Sequence, residues 1–119
     1  EIPLGGRFDI GPFDLEFITV THSIPEPNAL AIRTRAGTVL HTGDWKLDPE
    51  PLIGDVADEE RLRAVGDEGV LALVGDSTNA LIPGWTGSEA EVRAALTAEF
   101  KKHHQRIAVT CCPCAVTFR

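Results

Sequence analysis

Leu15-Glu16-Phe17-Ile18-Thr19-Val20-Thr21-His22 and Val70-Leu71-Ala72-Leu73-Val74-Gly75-Asp76 are the two stretches whose reading decides the fold. In the first, Phe13, Leu15 and Phe17 alternate with Glu16, Ile18 and Val20, and both faces turn apolar towards Val20. That pattern predicts a strand over Phe13 to Thr21 entering a covered sheet. The second is short, apolar and bounded by Gly69 and Gly75, the mark of a buried strand. Both runs end in a residue able to do chemistry, His22 and Asp76.

Between them, Ala29 to Thr34 and Thr38 to His41 read as a hairpin joined at Arg35-Ala36-Gly37, and its second strand runs out at Thr42-Gly43-Asp44. Leu4 to Ile10 is an extended lead-in interrupted by Gly5-Gly6 and stopped at Gly11-Pro12. Ile24-Pro25-Glu26-Pro27-Asn28 is a stiff turn, because each proline restricts itself and its predecessor. Leu47 to Val56 and Ile82 to Gly87 are loops. Asp58 is placed to cap a helix over Glu59 to Val65 whose apolar side is Leu62 and Val65. Ser88 and Glu91 have the spacing of a capping box. Val92, Leu96 and Phe100 then recur on one face of the helix it opens. Ile107 to Thr110 reads as a last strand. The order defines a two-layer α/β domain in which at least one sheet face needs more helix than these residues provide.

Size and charge narrow the function. A chain of 119 residues with 43% apolar content supports one core. A net charge of −7 argues against a broad nucleic-acid-binding surface, while leaving room for a local groove. No apolar run approaches the ~20 residues that span a bilayer, and no signal peptide is expected. Glu1 to Gly6 has no initiator Met, which leaves a processed end or an internal start open. All three cysteines fall in Cys111-Cys112-Pro113-Cys114, a poor disulfide framework and a poor zinc set even with His103 and His104 near. A reducing, cytoplasmic setting is the expectation.

The candidate residues are weak one by one. His22 can ligate a transition metal through either ring nitrogen, or sit at a core edge. Asp44 after Gly43 can bridge cations or satisfy turn amides, and Asp76 can orient a ligand or close an Asx turn. His41 reads as structural. The basic Lys101-Lys102-His103-His104-Gln105-Arg106 run is explained by the negative end of the preceding helix. No phosphate-binding glycine loop, dinucleotide fingerprint or serine elbow occurs.

Taken together and in order, three motifs are more specific. Val20-Thr21-His22-Ser23-Ile24-Pro25, His41-Thr42-Gly43-Asp44-Trp45-Lys46 and Gly75-Asp76-Ser77-Thr78-Asn79 resemble the ribonuclease J group of the metallo-β-lactamase superfamily, its β-CASP branch. The resemblance covers roughly Phe13 to Phe100. It implies an αββα sandwich, here one sheet with packed helices. Residues 1–75 would be the C-terminal part of that core, and residues 76–119 the start of the β-CASP region. It implies RNA phosphodiester hydrolysis with two zinc ions. His22 matches a metal ligand, Asp44 the carboxylate bridging the two ions, and Asp76 an acidic residue at the β-CASP border. The resemblance thus casts Asp44 and Asp76 as catalytic, and Ser77, Thr78 and Asn79 as substrate-binding.

The departures carry equal weight. The family's His-x-His-x-Asp-His motif, expected upstream of His22, has no counterpart here. The tail from Cys111 to Arg119 replaces the family's Phe-Ala-Ser-Asn turn. The expectation is a fragment of a metal-dependent hydrolase that is inactive alone. The alternatives are a non-catalytic module that self-associates or awaits a missing complementary segment, and a hydrolase assembled across subunits.

Overall fold

The computed structural model describes residues 1–109. Its centre is a five-stranded sheet in sequence order: β1 (Arg7–Ile10), β2 (Phe13–Thr19), β3 (Asn28–Thr34), β4 (Gly37–His41) and β5 (Ala72–Val74). Neighbours are antiparallel except β4 and β5, which are parallel. The crossover between those two carries helix α1 (Glu59–Glu68), as a parallel connection requires. Helix α2 (Glu89–Phe100) follows β5. A mixed α/β fold is therefore observed, with its hairpin turn at Arg35-Ala36 fixed by the Thr34–Gly37 pair.

One face of the sheet is the core. Glu16 pairs with Ala31, Ile18 with Ala29, and Ala31 with Leu40, so these residues line up across three strands. Ile18, Val20, Ala29, Ala31, Leu40 and Val65 of α1 are buried, with Trp45, Leu62 and Val70 packed around them. Asp58 caps α1 as its position implies, its Oδ1 accepting the Arg61 N–H at 2.9 Å. The helix runs three residues past Val65, and Gly69 ends it at φ 99°, a conformation side chains resist.

Glu16 occupies a core position on β2 and is 6% exposed. It is accommodated because Arg61 of α1 and Arg33 of β3 both pair with it, and Glu68 pairs with the same two arginines. A buried carboxylate without such partners would be very costly. Hydrogen bonding to Arg61, then to Arg33, outweighs burial and holds the Glu16 pKa below the usual glutamate range. The network fastens α1 to the sheet.

Four expectations from the sequence are corrected. The run Val70 to Val74 does contain a strand, yet Leu71 is 69% and Leu73 65% exposed. Leu73 stands level with buried Leu40 in the ladder, but the cover that α1 gives to β2, β3 and β4 does not extend to β5. The apolar stripe of α2 meets the same fate: among the described residues no α2 side chain is buried, so this helix is not packed on the sheet. Residues 107–109 form no strand, having no ladder partner among the described residues. Thr110, Cys111 and the remaining tail lie outside the described residues. The basic stretch begins after α2 ends, with Lys102 and His103 both paired to Glu99 rather than seated in the last turn.

Candidate active site at one sheet edge

β2, β4 and β5 run in the same direction, because β2 and β4 are each antiparallel to β3 and β5 is parallel to β4. Their C-terminal ends therefore open on one edge of the sheet. His22 follows the first end, Asp44 the second and Asp76 the third, so the topology collects the three motifs at one edge.

Local bonds fix how each turn leaves its strand. The Lys46 N–H donates to the Thr21 carbonyl at 2.9 Å, a bridge that holds the His22 and Asp44 turns side by side. The Thr21 hydroxyl donates to the Lys46 carbonyl and accepts the Asp48 N–H at 3.0 Å. The third turn is tied to the second through Thr42. Its N–H donates to the Val74 carbonyl at 2.9 Å, and its hydroxyl oxygen accepts the Asp76 N–H at 3.3 Å. Gly43 takes φ 63°, the left-handed conformation that lets the chain turn directly before Asp44. The His41 ring accepts the Gly43 N–H at 3.0 Å, in keeping with a structural part for that histidine.

The three side chains differ in their surroundings. His22 is half-buried, and its Nδ1 is buried with no hydrogen-bond partner among the described residues. Such an orphaned nitrogen costs free energy unless something binds it. Asp44 is exposed. Asp76 closes an Asx turn, its Oδ1 accepting the Thr78 N–H at 2.9 Å and the Thr78 hydroxyl at 2.5 Å. These bonds from Thr78, with a smaller contribution from the His22 charge, lower the Asp76 pKa. Asp76 and the four residues after it line an open cleft of about 340 Å³. Trp45, Lys46, Leu47, Trp85 and Thr86 line it as well.

Zinc chemistry sets a clear requirement. A closed site takes four nitrogen, sulfur or oxygen donors, and a catalytic site keeps three plus water. The unpaired His22 nitrogen suits such a ligand and the exposed Asp44 carboxylate is accessible. Among the described residues, no three His, Cys, Asp or Glu side chains converge to hold a metal ion. Among the described residues the donor set is incomplete for one zinc and further short for two.

Sequence reasoning did not single out Trp45, Lys46, Trp85, Asp48 or Glu89. The chain has only two tryptophans and both line the cleft, a compositional signal that was available. Asp48 and Glu89 left no such signal, since they act with partners tens of residues away.

No protein-family model matches the chain. Curated proteins do, and they make it a homologue of ribonuclease J, of the metallo-β-lactamase/β-CASP family. Over most of its length the chain is homologous to ribonuclease J. A ribonuclease J of Sinorhizobium meliloti is 51% identical over 92% of this chain and 20% of its own length. That of Thermus thermophilus is 42% identical over 92% of this chain and 19% of its own length, and that of Corynebacterium glutamicum 48% over 83% and 14%. The chain thus spans about a fifth or less of the relatives it matches. No helix among the described residues is long and apolar enough to cross a membrane.

Proposed function

We propose that this chain forms one wall of a two-metal RNA phosphodiesterase centre and does not turn over RNA by itself. His22 would serve as a neutral nitrogen ligand, and Asp44 as a carboxylate ligand, for zinc ions. Such ions would activate water and stabilise charge on the phosphoryl oxygens. Asp76 orders the turn beside them, and Ser77, Thr78 and Asn79 offer hydroxyl and amide groups to the RNA backbone. On this reading residues 1–75 are a portion of an αββα metallo-β-lactamase core, residues 76–119 open the β-CASP region, and the setting is cytoplasmic. The observation that carries it is the gathering of His22, Asp44 and Asp76 at one sheet edge in a homologue of ribonuclease J. The donor count supports inactivity alone, since two ligands cannot hold two metals.

The exposed apolar side chains of β5, together with Leu81 at 98% exposure, favour self-association as a second reading. One experiment separates the two. The chain is incubated with labelled RNA and zinc or manganese, with sedimentation run in parallel. No cleavage is expected at any association state. Robust turnover abolished by His22→Ala or Asp44→Ala would refute inactivity, and turnover confined to a dimer would establish assembly across subunits.

A further inference from the structure

Glu89 makes contacts that its place in a helix does not require. The N-terminus of α2 is already capped: the Ser88 hydroxyl accepts the Glu91 N–H at 3.1 Å, and Glu91 Oε2 accepts the Ser88 N–H at 2.8 Å. Glu89, the next residue, points its carboxylate to the sheet edge instead. Its Oε1 accepts the Ser23 hydroxyl at 2.7 Å and Lys46 Nζ at 2.8 Å. Its Oε2 accepts the Leu52 N–H at 2.9 Å, and its own N–H donates to Asp48 Oδ2 at 2.8 Å. Asp48 is 3% exposed, lies 3.3 Å from Lys46 Nζ and accepts the Glu50 N–H at 2.9 Å.

Ser23 directly follows His22, and Lys46 stands two residues after Asp44. One carboxylate oxygen therefore holds both turns. A helix that docked for stability would bury apolar side chains, yet no α2 residue is buried among those described. Its connection to the sheet edge is polar and runs through the first turn. Burial works against the Glu89 charge, but Lys46, the Leu52 amide and the Ser23 hydroxyl outweigh it, and the pKa lies below the ordinary glutamate value.

We propose that Glu89 is a positioning residue, clamping the His22 turn to the Asp44 turn through Ser23 and Lys46. The inference rests on the reading of His22 and Asp44 as metal ligands, and it deepens that reading by adding the groups that hold the ligands in place. Glu89 touches neither ligand itself and acts through the residues beside them, so the roughly 10- to 100-fold loss of metal affinity seen when a group bonded directly to a ligand is removed is an upper bound for its effect.

The test uses amide hydrogen exchange of the whole chain, with zinc titration followed at the His22 ring by NMR. In Glu89→Ala, exchange at Leu52, Lys46 and Asp48 should accelerate about tenfold or more while the β2–β3 ladder is unchanged. Zinc affinity at His22 should fall about tenfold. Glu89→Gln keeps an oxygen for Ser23 and Lys46, so its zinc affinity should lie between the two. Glu91→Ala opens the capping box without touching the clamp, and should leave Lys46 and Asp48 exchange at the parent rate. Unchanged exchange at those amides in Glu89→Ala would overturn the clamp, and so would an equal loss in Glu91→Ala. Absence of any zinc response at His22 in the parent chain would overturn the ligand reading separately, with exchange still deciding the clamp.

Discussion

Replacing Glu16 with Gln should destabilise the fold by about 2 kcal/mol at neutral pH. Removing one partner of a buried ion pair typically costs about 3–5 kcal/mol, because the other charge is left uncompensated. Here the Glu16 side chain is 8% exposed and faces Arg33 at 13% and Arg61 at 30%. The cost falls below the typical range because Glu68 remains 2.8 Å from Arg33 and 3.0 Å from Arg61, and water reaches Arg61. With a urea slope of about 1.5 kcal/mol/M for a domain of this size, the unfolding midpoint should drop by about 1.3 M. Acid supplies an independent check. The folded pKa of Glu16 lies below its ordinary value, chiefly through Arg61. Its contribution is therefore fully present above the ordinary glutamate pKa and is lost as pH falls through the folded one. The gap between parent and variant should be widest at neutral pH and close in that acid window. A midpoint change under about 0.3 M, or a gap that persists unchanged into acid, would refute the reasoning and leave the arginines as solvated surface groups.

Two further predictions follow from packing and capping. Val65 is the one α1 side chain that is buried, so Val65→Ala should cost about 2 kcal/mol in lost burial and cavity, lowering Tm by about 8 °C in calorimetry. A shift under about 2 °C would show that α1 does not cover the sheet. Ser88→Ala removes the N-cap of α2, worth about 1 kcal/mol, and should lower helical ellipticity with little loss of sheet signal; unchanged ellipticity would show that α2 needs no cap.

Much of the local structure was legible because it is written in adjacent residues. The hairpin around Arg35-Ala36, the Asp58 cap and the Ser88–Glu91 box all appear where turn and capping chemistry put them. What failed concerns cover. The run Val70 to Val74 announces a preference for burial, but burial needs a partner layer, and periodicity says nothing about which layer is present. The α2 stripe misled for the same reason. Glu16 shows the converse, a charged residue on the core face made tolerable by arginines 17 and 45 residues away. The ends bearing His22, Asp44 and Asp76 were visible as motifs, and the sheet order explains why separate strands bring them to one edge. The clamp from Glu89 to Ser23 and Lys46 spans 66 and 43 residues, and short-range patterns do not encode such pairings.

The most direct test of the ligand wall is zinc stoichiometry by calorimetry on the parent chain, His22→Ala and Asp44→Ala. The account predicts one zinc per chain, bound weakly, with binding abolished in His22→Ala and reduced in Asp44→Ala. Two tightly bound zinc ions per chain, or binding indifferent to both substitutions, would contradict it.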